Sequence, residues 1–256
     1  MTLEMNKRND IQIYVLAHKE VPYGIPDNSL YSGLQVGYNP TFLPLRDNTG
    51  ENISEYNKMY AETTGLLWIR NNRPETLKYI GVCQYRRRLE FPEDTDFDNL
   101  FQQYRLITAE PAVFPCSLYV QYSSCHSKKD MDLLKEIIDQ EYPEYSDVFE
   151  SVIMKGNILF YSNGMIMPSN IFDGYCGWLF GILNKFRERK GWVTVEDNEK
   201  DIAEDILRGD RSGARSIRYQ QQVLGFLSER LFTLWAFTNF PPFLIKTVPY
   251  HKMEIC

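Results

Sequence analysis

The first clear pattern along the chain is Ile11-Gln-Ile-Tyr-Val-Leu-Ala17, short, apolar and rich in β-branched residues. It predicts a first strand that stops at the polar pair His18-Lys19. Residues 20–50 are rich in Pro, Gly and Asn and predict mostly loop, with 34–36 and 42–45 as short strands. Asp47-Asn-Thr-Gly50 has turn chemistry, because Asx side chains bond nearby backbone and Gly takes positive φ. From Asn52 the period changes. Asn52-Ile-Ser-Glu55 has capping-box spacing, and Ile53, Tyr56, Met59, Tyr60, Thr63, Leu66 and Leu67 recur at three- and four-residue intervals. This predicts one helix that ends at Asn71-Asn-Arg-Pro74. Residues 79–83 then predict a buried strand, and the order strand, loop, helix, strand predicts a parallel α/β sheet.

Residues 90–100 read as acidic loop, 104–108 as another strand, and 127–141 as a helix ended by Pro143. Asn157-Ile-Leu-Phe-Tyr161 reads as a strand, and Ser162-Asn-Gly164 before Met165-Ile-Met167 as a hairpin turn or a bulge. A helix capped by Ser169 runs to Lys190, with Gly191 as its C′ residue. The charged segment 193–214 is a mobile lid or an idle surface loop. A last helix over 218–237 stops before Pro241-Pro242, and 243–248 adds a closing strand. No internal repeat is visible, and the expected organisation is one domain over 1–256.

Composition narrows the function. The 256 residues are 43% hydrophobic and 24% charged, which fits a soluble globular chain. Net charge is −6, which disfavours a general nucleic-acid binder. Positive charge is local, at 86–88 with Arg70, Arg73 and Lys78 upstream, and suits a small anionic ligand. The 17 tyrosines fill the core or face an amphipathic ligand such as a sugar. Five cysteines without a C-x-x-C pair read as reduced thiols of a cytoplasm, and Cys125-His126 is too thin for a zinc site. No apolar stretch approaches the ~20 residues that span a bilayer, so no transmembrane segment is expected, and contact with a membrane surface stays open.

The candidate chemistry centres on Tyr85-Arg-Arg-Arg88, just past the carboxyl end of the strand predicted over 79–83. In open α/β sheets ligands bind at that edge, and guanidinium forks match a diphosphate. A solvated basic turn is the plainer reading. His18 and Lys19 share the same edge, or form an ordinary turn. Asn57 lies off the apolar helix face, facing solvent or an anion at the helix start.

Val15-Leu-Ala-His-Lys19, Asp47-Asn-Thr-Gly-Glu-Asn-Ile-Ser54 with Asn57, Tyr79-Ile-Gly-Val-Cys-Gln-Tyr-Arg-Arg87, Ser162-Asn-Gly-Met165 and Gly225-Phe-Leu-Ser-Glu-Arg-Leu231 stand in the order of one bacterial family. The chain resembles the DUF4422-type glycosyltransferases of capsule, O-antigen and exopolysaccharide clusters, some linked to galactofuranose transfer. The resemblance implies a GT-A-like nucleotide-sugar-binding fold, with a mostly parallel central sheet flanked by helices. It implies a donor half at about 10–125 and an acceptor half at about 126–256. The implied enzyme is a cytoplasmic hexosyltransferase, either free or at the inner face of the membrane. It would move a sugar from a nucleoside diphosphate, uridine-linked, to a lipid-linked or oligosaccharide acceptor of a surface polysaccharide.

The resemblance assigns His18, Lys19, Asn52, Asn57, Gln84, Tyr85, Arg86 and Arg87 to the donor and Asn163 to the acceptor side. Two departures stand out. Gln84 replaces the histidine of the family's His-Tyr-Arg-Arg, and Asn163-Gly164-Met165 replaces a more usual Asn-Met. The strand end that carries the metal-binding Asp-x-Asp of related folds is taken here by Tyr85-Arg-Arg-Arg88. No cofactor or metal is therefore expected, with a divalent cation as the alternative. Inverting transfer needs a base. Glu229 is one candidate, or else a helix carboxylate paired with Arg230 or a core arginine. Asp47 is the other, or else a nucleoside contact. Two rivals remain. A nucleotidyl- or phosphotransferase would need acidic metal ligands, and none stand at suitable spacing. A non-catalytic nucleotide-sugar or glycan-binding module fits the loss of the histidine.

Overall fold

The computed structural model describes residues 10–21, 24–212 and 214–252. In chain order its strands are β1 (Ile11–Ala17), β2 (Tyr31–Gln35), β3 (Leu45–Arg46), β4 (Tyr79–Gln84), β5 (Arg87–Arg88), β6 (Leu106–Ala109), β7 (Ala112–Val113), β8 (Ile158–Leu159), β9 (Met165–Pro168), β10 (Ile245–Val248) and β11 (His251–Lys252). Nine form one sheet, ordered β10-β6-β9-β4-β1-β2-β3, with β5 turning back on β4 and pairing with β11. The pairs β1/β4, β1/β2, β2/β3 and β6/β10 are parallel, and β9 runs antiparallel between β4 and β6. The fold is thus mixed α/β with a mostly parallel central sheet. β7 and β8 form a separate two-stranded sheet.

The helices are α1 (Asn57–Tyr60), α2 (Thr63–Asn72), α3 (Phe97–Gln103), α4 (Leu118–Ser123), α5 (Lys128–Glu141), α6 (Ser146–Phe149), α7 (Ser169–Arg189), α8 (Val195–Arg208), α9 (Ile217–Gln220) and α10 (Val223–Asn239). Strand side chains alternate between the two faces of the sheet. Tyr14, Leu16, Ile80, Val82, Met165 and Met167 pack on one face in the large core built by α2, α5, α7 and α10. Ile11, Ile13, Val15, Cys83, Ile107 and Ile166 pack on the other, under Phe97 and Phe101 of α3. Burial on both faces explains why β1 and β4 read as continuous apolar runs.

Several expectations are corrected. The single helix expected from Asn52 is broken. A 3₁₀ turn (Ser54–Tyr56) leads into α1, Ala61 takes φ 49° and ψ −136°, and α2 starts at Thr63. The apolar spacing continues through the break, which hides it. α10 crosses there so closely that a Cβ at Gly225 would lie 2.7 Å from the Cβ of Ala61. Asn52 forms no capping box. Its side chain accepts from Ser54 N and donates to Gly50 O, closing a local turn. The acidic stretch 90–100 holds the start of α3, because Asp96 caps it by accepting from Asn99 N. The segment 193–214 is mostly α8, with a Thr194/Asp197 capping box and a left-handed Gly209. α4 was not expected. β8 and β9 are not one hairpin, since they belong to different sheets, and Ser162 (φ 65°) and Asn163 (φ 48°) turn the chain between them. The last helix is two, α9 and α10, while Gly191 (φ 69°) follows α7 as expected.

Candidate functional site

The parallel register brings three strand ends together. Leu16 pairs with Gln84, Tyr85 N donates to Leu16 O, and Val36 N donates to Ala17 O. The residues that leave β4, β1 and β2 therefore emerge side by side at one edge. They form one wall of a cavity of about 540 Å³, within the roughly 300–1,000 Å³ usual for small-molecule sites. His18, Val36, Tyr38, Gln84, Tyr85 and Arg86 line that wall. Asn57, Lys58, Ala61 and Glu62 line the facing wall, at the junction of α1 and α2. Ser216, Arg218, Tyr219 and Gln222, around α9, close the third side.

The three consecutive arginines diverge. Arg86 lines the cavity with its guanidinium 5.4 Å from the Tyr85 ring centre. Arg87 donates to Ser162 Oγ at 2.9 Å and lies over Tyr161 at 5.4 Å. Arg88 is buried away from the cavity, 3.2 Å from Glu90 and donating to Gly24 O. His18 stands at the rim with its ring edge-on to Tyr85 at 5.5 Å. Burial of the ring, and then Arg86, Lys19 and Arg218, push its pKa down and favour the neutral imidazole. Lys19 is exposed outside the lining. Tyr85 is buried, its hydroxyl has no hydrogen-bond partner among the described residues, and burial raises its pKa.

Gln84 reaches across the cavity and donates from Nε2 to Glu62 Oε1 at 2.5 Å. Burial first, and then the charge of Glu229, raise the Glu62 pKa from 4.5 to about 7, against the opposing effect of Gln84 and Arg86. Glu229 itself accepts from Ser162 N at 2.9 Å and pairs with Arg230 at 3.0 Å. It does not line the cavity. Ser162 thus links Arg87 to Glu229.

The remaining expected residues fall into place around this centre. Asp47 is fully buried behind the wall and accepts from Gly37 N, Ser54 Oγ and Thr64 Oγ1 at 2.9, 2.6 and 2.6 Å. Burial raises its pKa and the hydrogen bonds oppose the rise. Asn57 lines the cavity and holds the broken helix by donating to Ala61 O at 2.7 Å and Thr64 Oγ1 at 3.0 Å. Gly37 (φ 80°) packs on it, and a Cβ there would stand 2.6 Å from Asn57 Oδ1. Asn52 lies outside the lining in its turn. Asn163 is fully buried and donates to Ser228 Oγ at 2.9 Å.

The structure therefore brings His18, Asn57, Gln84, Tyr85 and Arg86 to one cavity, places Arg87 and Glu229 in an adjoining cluster, and leaves Lys19, Asn52, Asp47 and Asn163 off the lining. Glu62, Tyr38, Lys58, Arg218 and Tyr219 escaped sequence reading. Gly37-Tyr-Asn-Pro40 has the turn composition that could have flagged Tyr38. Glu62 had no such flag, since an unbroken helix would point it away from the apolar face.

The end of β4 offers an amide and guanidiniums rather than carboxylates. Among the described residues no group of three or more His, Cys, Asp and Glu side chains that could hold a metal ion stands together.

Among the described residues no helix is long and apolar enough to cross a membrane. No curated protein matches the chain. Among solved structures it is similar to a WbbM bifunctional glycosyltransferase in the apo form, with a TM-score of 0.70 and 21% identity. The match covers 94% of this chain and 45% of that one, so the chain spans less than half of WbbM. The likeness establishes the fold as GT-A-like. Residues 12–203, most of the chain, match DUF4422, described as a domain of unknown function, and the protein belongs to that family.

Proposed function

We propose that the protein is a glycosyltransferase that binds a nucleoside-diphosphate sugar in this cavity and transfers the hexose to a hydroxyl acceptor. The observation that carries the reading is the cavity itself. It lies at the carboxyl ends of parallel strands, and Arg86, Arg218 and Lys58 gather positive charge there in a chain of net charge −6. Those cations suit a diphosphate. Tyr38 is 70% exposed on the wall and gives a ring face for the nucleobase or the sugar. Arg86 and Arg218 offset the charge that grows on the leaving nucleoside diphosphate, a task that a metal ion does in other sites. Within this reading the donor is uridine-linked, with galactofuranose as one sugar, and the acceptor is a growing surface glycan, lipid-linked or free.

One observation favours a second reading. Gln84 stands where the family pattern has histidine, which fits binding of a nucleotide sugar or glycan without turnover. Release of UDP from a panel of uridine-diphosphate hexoses separates the two. Steady release above the buffer rate supports the transferase, and binding without release supports the second reading.

A further inference from the structure

We infer that Glu62 is the catalytic base of this transfer, the group that takes the proton from the acceptor hydroxyl. The inference rests on the glycosyltransferase reading above and goes beyond it by assigning the proton. Four observations lead to it. Glu62 lines the cavity, whereas Glu229 and Asp47 do not. Its carboxylate is held by Gln84, the last residue of the strand whose next turn carries Arg86. It follows Ala61, whose φ of 49° and ψ of −136° are strained for a residue with a Cβ. Such conformations cost about 1–3 kcal/mol and persist where surrounding structure enforces them. The enforcement is visible here, since Asn57 binds Ala61 O, Thr64 binds both Asn57 and Asp47, and α10 closes over the break. Finally, the two carboxylates expected from the sequence are engaged. Asp47 accepts three protein hydrogen bonds, and Glu229 is tied to Arg230 and Ser162 N.

Titration supports the geometry. The charged and polar groups facing Glu62 are Gln84 and Arg86 from the end of β4, Glu229 from α10, and His18, Glu55, Lys58 and Arg218 around the cavity. Burial and Glu229, opposed by Gln84 and Arg86, hold its pKa at about 7. A base with that pKa is largely ionised just above neutrality and still basic enough to drive the transfer. In the step, the acceptor oxygen bonds to the anomeric carbon while the bond from that carbon to the β-phosphate oxygen breaks. The bonding pair leaves with the nucleoside diphosphate beside Arg86, and the hydroxyl proton passes to the Glu62 carboxylate.

The test uses the full chain and UDP-hexoses, galactopyranose and galactofuranose forms included, with water as the acceptor. Glu62→Gln should keep the melting shift given by the UDP-hexose and lose UDP release by about 10²- to 10⁴-fold. The wild-type kcat/KM profile should fall below pH about 7, and Glu62→Asp should keep a limb and part of the rate. Release by Glu62→Gln within a few-fold of wild type, or a wild-type profile that is flat from pH 6 to 8, would overturn the base and leave the transferase reading standing. Wild-type binding without release would overturn the base in favour of the binding module, and no binding at all would overturn both readings. If Glu62→Gln fails to fold, the wild-type and Glu62→Asp profiles decide.

Discussion

Nε2 of Gln84 donates a 2.5 Å hydrogen bond to Oε1 of Glu62, joining the last residue of β4 to the residue before α2. The bond favours the ionised carboxylate and works against burial and the charge of Glu229, which favour the neutral acid. Gln84→Met removes the donor and keeps the volume. The Glu62 pKa should then rise above its value of about 7, and the acidic limb of UDP release should move to higher pH. A pH–rate profile of this variant with an unmoved limb would show that the bond does not tune the carboxylate.

Glu62 also predicts a pH-dependent stability with an unusual sign for a carboxyl group. Its folded pKa of about 7 lies above the ordinary 4.5, so the folded state holds an extra proton between those values. Its contribution is therefore least unfavourable below about pH 4.5 and becomes a growing cost as pH rises through about 7. Glu62→Gln removes that cost. The variant should be more stable than wild type at pH 8, on the order of 1–3 kcal/mol, with the gain shrinking toward pH 5. Denaturant melts at both pH values check this, and an equal or negative difference at pH 8 would contradict it.

The contact between the strained turn and α10 can be probed from both sides. Ala61→Gly relieves the positive φ and should stabilise by about 1 kcal/mol net of the extra chain entropy. Gly225→Ala puts a Cβ 2.7 Å from Ala61 Cβ and 3.2 Å from Tyr60 O, and should destabilise by about 1–3 kcal/mol. The double variant should lose less than Gly225→Ala alone. A double-mutant cycle with purely additive terms would show that the two positions do not meet.

Arg211 anchors the chain that leads into the third cavity wall. Its Nη2 lies 2.6 Å from Asp130 Oδ2, both side chains are fully buried, and its Nη1 contacts Gln220 of α9. Arg211→Met leaves the buried Asp130 carboxylate without its ion pair, with the Tyr122 hydroxyl still donating to it, and should destabilise by about 3–5 kcal/mol. Adding Asp130→Asn should recover part of the loss. Because Ser216, Arg218 and Tyr219 follow this anchor, nucleotide binding should weaken as well. A variant that melts like wild type would contradict the account of this segment.

How far the sequence could reach depended on the kind of signal. β1 and β4 were legible because both faces are buried, and so were α7 and its Gly191 stop. The edge where His18 and Arg86 emerge followed from the strand ends alone. Ala61 was not legible, because its apolar neighbours keep helical spacing while the backbone does not. α8 was hidden by its charge, although Thr194 and Asp197 carry its cap. The fates of Arg86, Arg87 and Arg88 were not legible either. Successive residues of an extended turn point in different directions, and only the tertiary structure supplies Ser162 to one and Glu90 to another. Glu62 and Glu229 are 167 positions apart in the chain, and their coupling exists only once α10 packs over α1.

Binding of a nucleoside-diphosphate sugar in the cavity depends on Arg86. A thermal-shift titration tests it most directly, with UDP and UDP-hexoses in manganese and in EDTA, on wild type and Arg86→Ala. A ligand that binds only the folded state stabilises it, by about 2.7 kcal/mol at a hundred times Kd. The shift should survive EDTA and need about tenfold or more extra ligand in Arg86→Ala, as loss of a charge-assisted contact implies. A shift that requires manganese would contradict the arginine-for-metal reading, and no shift with any nucleotide would contradict the claim itself.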